Sequence, residues 1–134
     1  DESYRLRVSG RVGTPMSLTL AELQALPQRT ATLPIACVEG WSASATWTGV
    51  SLAALLDLAD AEPGAEIALR SLQTGGLFRG STVSADQAAD LDTLLALRLN
   101  GEPLALDHGY PVRLIGPNRP GVFQTKWVSH VVVR

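Results

Sequence analysis

The sequence predicts an α+β domain, a mixed sheet or flattened barrel carrying short helices, and three observations predict it. Strand-like runs outnumber helical ones, the helical runs are short, and they fall at irregular places instead of between every pair of strands. A doubly wound fold needs regular alternation of strand and crossover helix, which this pattern lacks. Residues 1–134 are expected to form one domain. The length lies in the single-domain range, and no linker, repeat or low-complexity stretch divides it.

Tyr4 to Val12 alternates apolar and polar residues with period two, the mark of a half-buried strand, and Gly13-Thr14-Pro15 turns the chain. Thr19 and Glu22 have the spacing of a capping box, in which the hydroxyl accepts from an early helical N–H and the carboxylate reaches back. The short helix that follows stops before Pro27, and residues 29–36 form a strand that leads straight into Cys37. A Gly/Ser/Thr loop is expected next. Ser51 then caps a helix from Leu52 to Ala59, whose leucines at 52, 55, 56 and 58 are expected to share a buried face. Pro63-Gly64 breaks it, Glu66 to Leu72 reads as a strand, and Gly75-Gly76 turns into another, Leu77 to Val83. An Asp/Ala-rich helical turn near 85–91 and a strand from Leu94 to Leu99 follow. Asn100-Gly101 is a hairpin signal, because both residues tolerate positive φ. Val112 to Ile115 is a strand, 116–121 a loop of turn residues, and Trp127 to Val133 the closing strand.

Composition narrows the function. A net charge of −2, with basic residues scattered and not interleaved with aromatics, gives no field to collect nucleic acid or an anionic membrane. The apolar runs are too short and interrupted to cross a bilayer, although 46% hydrophobic residues suffice for a core. No signal peptide is visible, and the abrupt acidic start at Asp1 reads as a processed or designed boundary. One cysteine excludes an internal disulfide and leaves a thiol to be explained.

At the end of a strand, Cys37 offers a soft thiolate suited to a metal or to nucleophilic attack; its alternative reading is a small buried hydrophobe. A cysteine hydrolase would need a histidine base, and only His108, in a loop, and His130, in the last strand, are available. His130 reads most simply as a solvent-facing strand residue. Zinc is disfavoured, because one Cys and two distant His do not make a clustered four-ligand site. No Gly-rich loop ends in Gly-Lys-Ser/Thr, which excludes a Walker phosphate loop. The loop 116–121, with Asn118 and Arg119, could present backbone N–H groups and a guanidinium to an anion, or be an ordinary turn-rich loop.

Three segments in order change the weighting. They are Ala36-Cys37-Val38-Glu39-Gly40-Trp41-Ser42 with the following Trp47-Thr48-Gly49-Val50-Ser51-Leu52, then Asp107-His108-Gly109-Tyr110-Pro111-Val112-Arg113-Leu114-Ile115, then Gln124-Thr125-Lys126-Trp127-Val128. Together they resemble the molybdopterin-binding domain of the sulfite oxidase family, over Tyr4 to Val133. The resemblance implies that family's fold and a molybdenum-molybdopterin cofactor whose metal takes Cys37 as its thiolate ligand. It implies that His108 and Arg113 hold the pterin, that Gln124, Thr125 and Lys126 clasp the cofactor and its phosphate, and that Gln73, by a looser match, touches the pterin. The chemistry is consistent, since an anionic aromatic group is suited by fixed cations, an imidazole and backbone donors.

The departures are informative. Animal and plant sulfite oxidases follow the ligand cysteine with Ala-Gly-Asn-Arg-Arg, whereas here Val38-Glu39-Gly40-Trp41-Ser42 contains no arginine. That form resembles the bacterial periplasmic methionine sulfoxide reductase catalytic subunit, in which a glutamate two residues after the cysteine lines the site. The resemblance therefore implies Cys37 and Glu39 as catalytic residues and a small-molecule S-oxide or N-oxide as substrate, since a dianion such as sulfite would meet the charge of Glu39. It also implies an extracytoplasmic, periplasmic location and a membrane haem or quinone-linked electron partner. The family's segments before its first strand and after its last would fall before Asp1 and beyond Arg134. The alternative reading is a cofactor-free binding module on the same scaffold, and a hydrolase using Cys37 and His108 is a weaker third.

Overall fold

The computed structural model describes residues 3–36, 42–71, 80–106, 109–117 and 125–134. The capping box forms as the spacing predicts. Glu22 N–H donates to Thr19 Oγ1 at 3.0 Å, Thr19 N–H donates to Glu22 Oε1 at 3.0 Å, and helix α1 runs from Leu20 to Ala25. The Thr19 N–H is the main reason the Glu22 carboxyl lies below the usual carboxylate range. Helix α2 (Leu52–Leu58) is capped by Ser51 Oγ, which accepts from Ala54 N–H, and α3 (Ala85–Ala89) by Ser84. Leu52 and Leu55 are fully buried and Leu56 packs against the core, but Leu58, expected on the same face, is half exposed. At about 100° per residue, position 58 lies well round the helix from the seam of 52, 55 and 56.

The strands make two sheets. The first has the order β2 (Met16–Leu18), β1 (Leu6–Gly10), β10 (Val128–Val133), β5 (Ile67–Ser71), β6 (Gly80–Val83). Its first and last strands in sequence, β1 and β10, pair in parallel, with Arg7 opposite His130, and the other neighbours are antiparallel. Tyr4 buries its ring and donates its hydroxyl to Val128 O at 2.6 Å, which ties the start of the described chain to β10; desolvation pushes its pKa up. The second sheet runs β3 (Arg29–Ala36), β4 (Ser42–Ser51), β7 (Leu94–Leu99), β8 (Glu102–Pro103), with β9 (Arg113–Ile115) also on β7. The mixed α+β expectation is met by two sheets with few, short helices.

Strand β4 corrects the sequence reading, which expected a loop before Ser51. Its Ala45 and Trp47 are buried on one face, while Thr46 and Thr48 stand on the other and meet Thr32 and Thr30 across β3 at 3.1 and 2.9 Å. The period of two was present, but written in alanine, serine and threonine it resembles loop composition; threonine is nevertheless a good strand residue because of its branched Cβ. Strand β2, three residues long, lies between the expected turn at 13–15 and the capping box, where the sequence predicts no element. The hairpin at Asn100-Gly101 appears as expected, with φ of 51° and 85° joining β7 to β8.

Two cores flank the second sheet. Along β7, Leu95 and Leu97 face the larger core, which β1, β5, β10, α1 and α2 also fill, whereas Leu94 and Ala96 face a smaller one with Trp47, Leu33, Leu104 and Ile115. Strand β7 is therefore buried on both faces, which is why it reads as a continuous apolar run. Gly49 is where β4 lies closest to it: a Cβ there would sit 2.0 Å from Leu95 O, beside the register shift between Thr48 and Gly49. Gly49→Ala must push two central strands apart and is expected to destabilise the fold by about 3 kcal/mol, measured by chemical denaturation.

Candidate functional site

At one end of the sheets, two stretches of chain run side by side. Leu114 N–H donates to Thr125 O at 2.8 Å and Val128 N–H to Val112 O at 2.9 Å, so that 109–115 and 125–128 form one crossing. Strands β5 and β6 hold it from the other side. Ser71 Oγ donates to Lys126 O at 2.9 Å, and the Ser81 and Thr125 hydroxyls are hydrogen-bonded. Gly109 sits where these pieces meet, at φ 108°, a conformation L side chains rarely adopt. The point where its Cβ would lie is 3.0 Å from the Arg113 Cβ and 3.3 Å from the Lys126 Cβ. A side chain at 109 would press on the stems of both residues, so glycine lets the two pieces of chain pack closely.

Arg113 is buried, 7% exposed, on β9, and its guanidinium carbon lies 5.0 Å from the centroid of the Trp47 ring. Burial lowers its pKa, but an arginine in a protein keeps its charge at neutral pH. A cation held in the interior over an aromatic face costs free energy that an anionic ligand would offset. Trp47 Nε1 is also buried and has no hydrogen-bond partner among the described residues. Lys126 is half-buried, with its ammonium 5.9 Å from the Trp127 ring centroid. Trp127 itself takes φ 54°, uncommon for a bulky residue, and its indole N–H donates to Leu106 O at 2.8 Å. Such strained residues persist where surrounding structure enforces them, often at functional sites.

Of the site residues expected from sequence, Arg113, Thr125 and Lys126 come together here. Thr125 is buried, and its hydroxyl is engaged by Ser81. Cys37, Glu39, Gln73, His108 and Gln124 lie outside the described residues, as do Asn118 and Arg119. Their described neighbours include Ala36 and Ser42, paired at the ends of β3 and β4, as well as Gly109 and Thr125 at the crossing itself. Sequence reasoning missed Trp47, Gly109, Ser71 and Ser81 as contributors. The first two stood inside the motif segments, but nothing in their spacing said that one underlies the arginine and the other packs against the stems of Arg113 and Lys126.

Against known proteins, the chain matches the oxidoreductase molybdopterin binding domain family over residues 1–134, and it belongs to that family. This makes it a molybdopterin-binding oxidoreductase domain of the sulfite oxidase group. It is 32% identical, over 98% of its length, to a protein of Azospira oryzae provisionally named protein-methionine-sulfoxide reductase subunit YedZ1, of which it covers 49%. It is 32% identical to the sulfite oxidase of Gallus gallus, covering 98% of this chain and 35% of that protein. Among solved structures, the sulfane dehydrogenase SoxCD of Paracoccus pantotrophus superposes with a TM-score of 0.88 at 27% identity, over 98% of this chain and 38% of that one. The chain thus spans less than half the length of each of these relatives. The fold expected from the resemblance is the fold observed.

Proposed function

We propose that this chain is the cofactor-holding domain of a molybdenum-dependent oxidoreductase that removes an oxygen atom from a neutral S-oxide or N-oxide. The observation that carries the reading is that the stems of Arg113 and Lys126 both pack against Gly109, with Arg113 buried over Trp47. A buried arginine and a half-buried lysine on adjoining pieces of chain suit the phosphate and ring of a pyranopterin. In this reading Arg113 and His108 hold the pterin, Gln124, Thr125 and Lys126 clasp the phosphate side, Gln73 touches the ring, and Cys37 is the metal's thiolate ligand. Because the Thr125 hydroxyl is bound to Ser81, its contribution to the ligand comes from its backbone.

When bound, the cofactor supplies two-electron redox chemistry at a metal that exchanges oxygen with water. The overall change balances as one S-oxide, two electrons and two protons giving one sulfide and one water. The electrons come from a haem or quinone-linked partner. Glu39, two residues after Cys37, repels a dianion and leaves a neutral oxide as the better substrate. The supporting comparison is with the Azospira oryzae protein, whose name assigns it to methionine sulfoxide reduction. In this reading the domain works outside the cytoplasm, in the periplasm, as the resemblance implies. Among the described residues no helix is long and apolar enough to cross a membrane.

Lys126→Ala tests the reading. A charge-assisted bond to an anion contributes roughly 1.5–3 kcal/mol, so the variant should lose cofactor about ten- to a hundredfold more readily, while its unfolding midpoint barely moves. Molybdenum per chain after prolonged dialysis is the measurement. Equal, full occupancy in both proteins would remove Lys126 from the site. Wild type that stays empty, when produced in a host that makes the cofactor, would favour the cofactor-free module.

A further inference from the structure

On the outer face of the first sheet lies an open cleft of about 820 Å³. Neither Arg113 nor Lys126 lines it. One wall is polar and basic, with Arg5 and Arg7 from the start of the chain and β1, and His130 and Ser129 from β10. The other wall is apolar, made by Leu106, Tyr110, Pro111 and Trp127. Leu106 is 67% exposed there, a large apolar side chain left in water. The sequence reading took His130 for a solvent-facing strand residue. It is instead half-buried and fixed, with its Nε2 2.7 Å from Ser9 Oγ.

The charges are arranged by strand register. Arg7 stands opposite His130 across the parallel β1–β10 pair, and Arg70 stands opposite it on the other side, from β5. Among the described residues that line the cleft there is no carboxylate, and Glu22 of α1 acts on Arg5 from outside it. Desolvation first, then Arg70 and Arg7, hold the His130 imidazole below its ordinary pKa of 6.5. Like charges gathered in one cleft are costly by themselves, and an anion among them offsets that cost.

We propose that this cleft binds a small organic anion with an apolar body, its carboxylate or sulfonate set between Arg5, Arg7 and His130 and its body against Trp127, Tyr110 and Leu106. The two walls match the two halves of such a ligand. The bond to Ser9 orients the imidazole, and protonation turns it from a neutral neighbour into a third cation. Because the bound anion favours imidazolium, affinity rises as pH falls through the histidine's free pKa, which lies below 6.5.

Calorimetric titration of the chain with 2-naphthalenesulfonate, which stays ionised throughout, tests this. Binding should tighten about tenfold between about pH 8 and about pH 5, and should weaken with salt. Arg7→Gln should weaken it about tenfold at both pH values without changing molybdenum content, which separates this cleft from the cofactor site. His130→Gln should keep the high-pH affinity and lose the pH dependence. Arg7 is exposed, so its variant keeps the fold and carries the test even if His130→Gln does not. The proposal is overturned if the neutral analogue 2-naphthalenemethanol binds as tightly, if wild type and Arg7→Gln bind alike, or if naphthalenesulfonate gives no heat while polyglutamate binds.

Discussion

Replacing Cys37 with serine is expected to abolish oxygen-atom transfer while leaving the fold in place. Serine differs from cysteine by one atom and removes little volume, so the loss of stability should be on the order of 1 kcal/mol, the scale of a mild substitution. As a metal ligand the change is large. An alkoxide is harder and more basic than a thiolate, and it alters both the donor strength and the potential of a bound metal. The proposed cations Arg113 and Lys126 would still hold the pterin end. Molybdenum content should therefore stay near that of wild type while S-oxide turnover falls to background. Turnover by the serine variant at the wild-type rate would remove Cys37 from the metal, and the hydrolase reading would then be tested with His108→Ala.

The second large effect belongs to Arg113→Met. Arg113 is a buried cation lying over Trp47, and its burial opposes the charged form. Methionine has similar length, packs against an aromatic face through its thioether and carries no charge to desolvate. The desolvation cost that burial imposes on the guanidinium disappears with the charge and offsets the lost ring contact. The cofactor-free chain should accordingly unfold within about 1 kcal/mol of wild type. Retention of the cofactor should drop far more, since losing one partner of a desolvated charged contact costs roughly 2–5 kcal/mol, or about thirty- to several-thousand-fold in affinity. Urea denaturation of the apo chain and molybdenum content after dialysis read the two effects separately. A severe loss of apo stability with cofactor retention intact would make Arg113 a structural residue.

Much of the fold was legible because the signals are local. The Thr19–Glu22 box, the Ser51 cap and the Asn100-Gly101 turn are satisfied within a few residues of chain, and each appears as its spacing predicts. Strand β7 was legible from its apolar run. Strand β4 was not, because its alternation is carried by small and hydroxylated residues, whose strand-forming tendency appears only once β3 and β7 pair on either side. Leu58 was misplaced for the opposite reason: its hydrophobicity was local, but the seam it was assigned to is set by what α2 packs against.

The site divides in the same way. By themselves, the three motif segments in order determine the family, the candidate cations Arg113 and Lys126, and the candidate thiolate Cys37. Residue type and order carry that chemistry wherever the chain goes. Tertiary structure alone decided that Arg113 lies buried over Trp47, which comes from a strand 66 residues earlier in numbering (113 − 47), and that the stems of Arg113 and Lys126 pack together against Gly109. It alone placed Arg7 and Arg70 on either side of His130, from strands at the start and in the middle of the sequence. These contacts depend on sheet register and on which faces meet, and both are chosen by burying the whole apolar surface together, a sum over the chain that no single segment encodes.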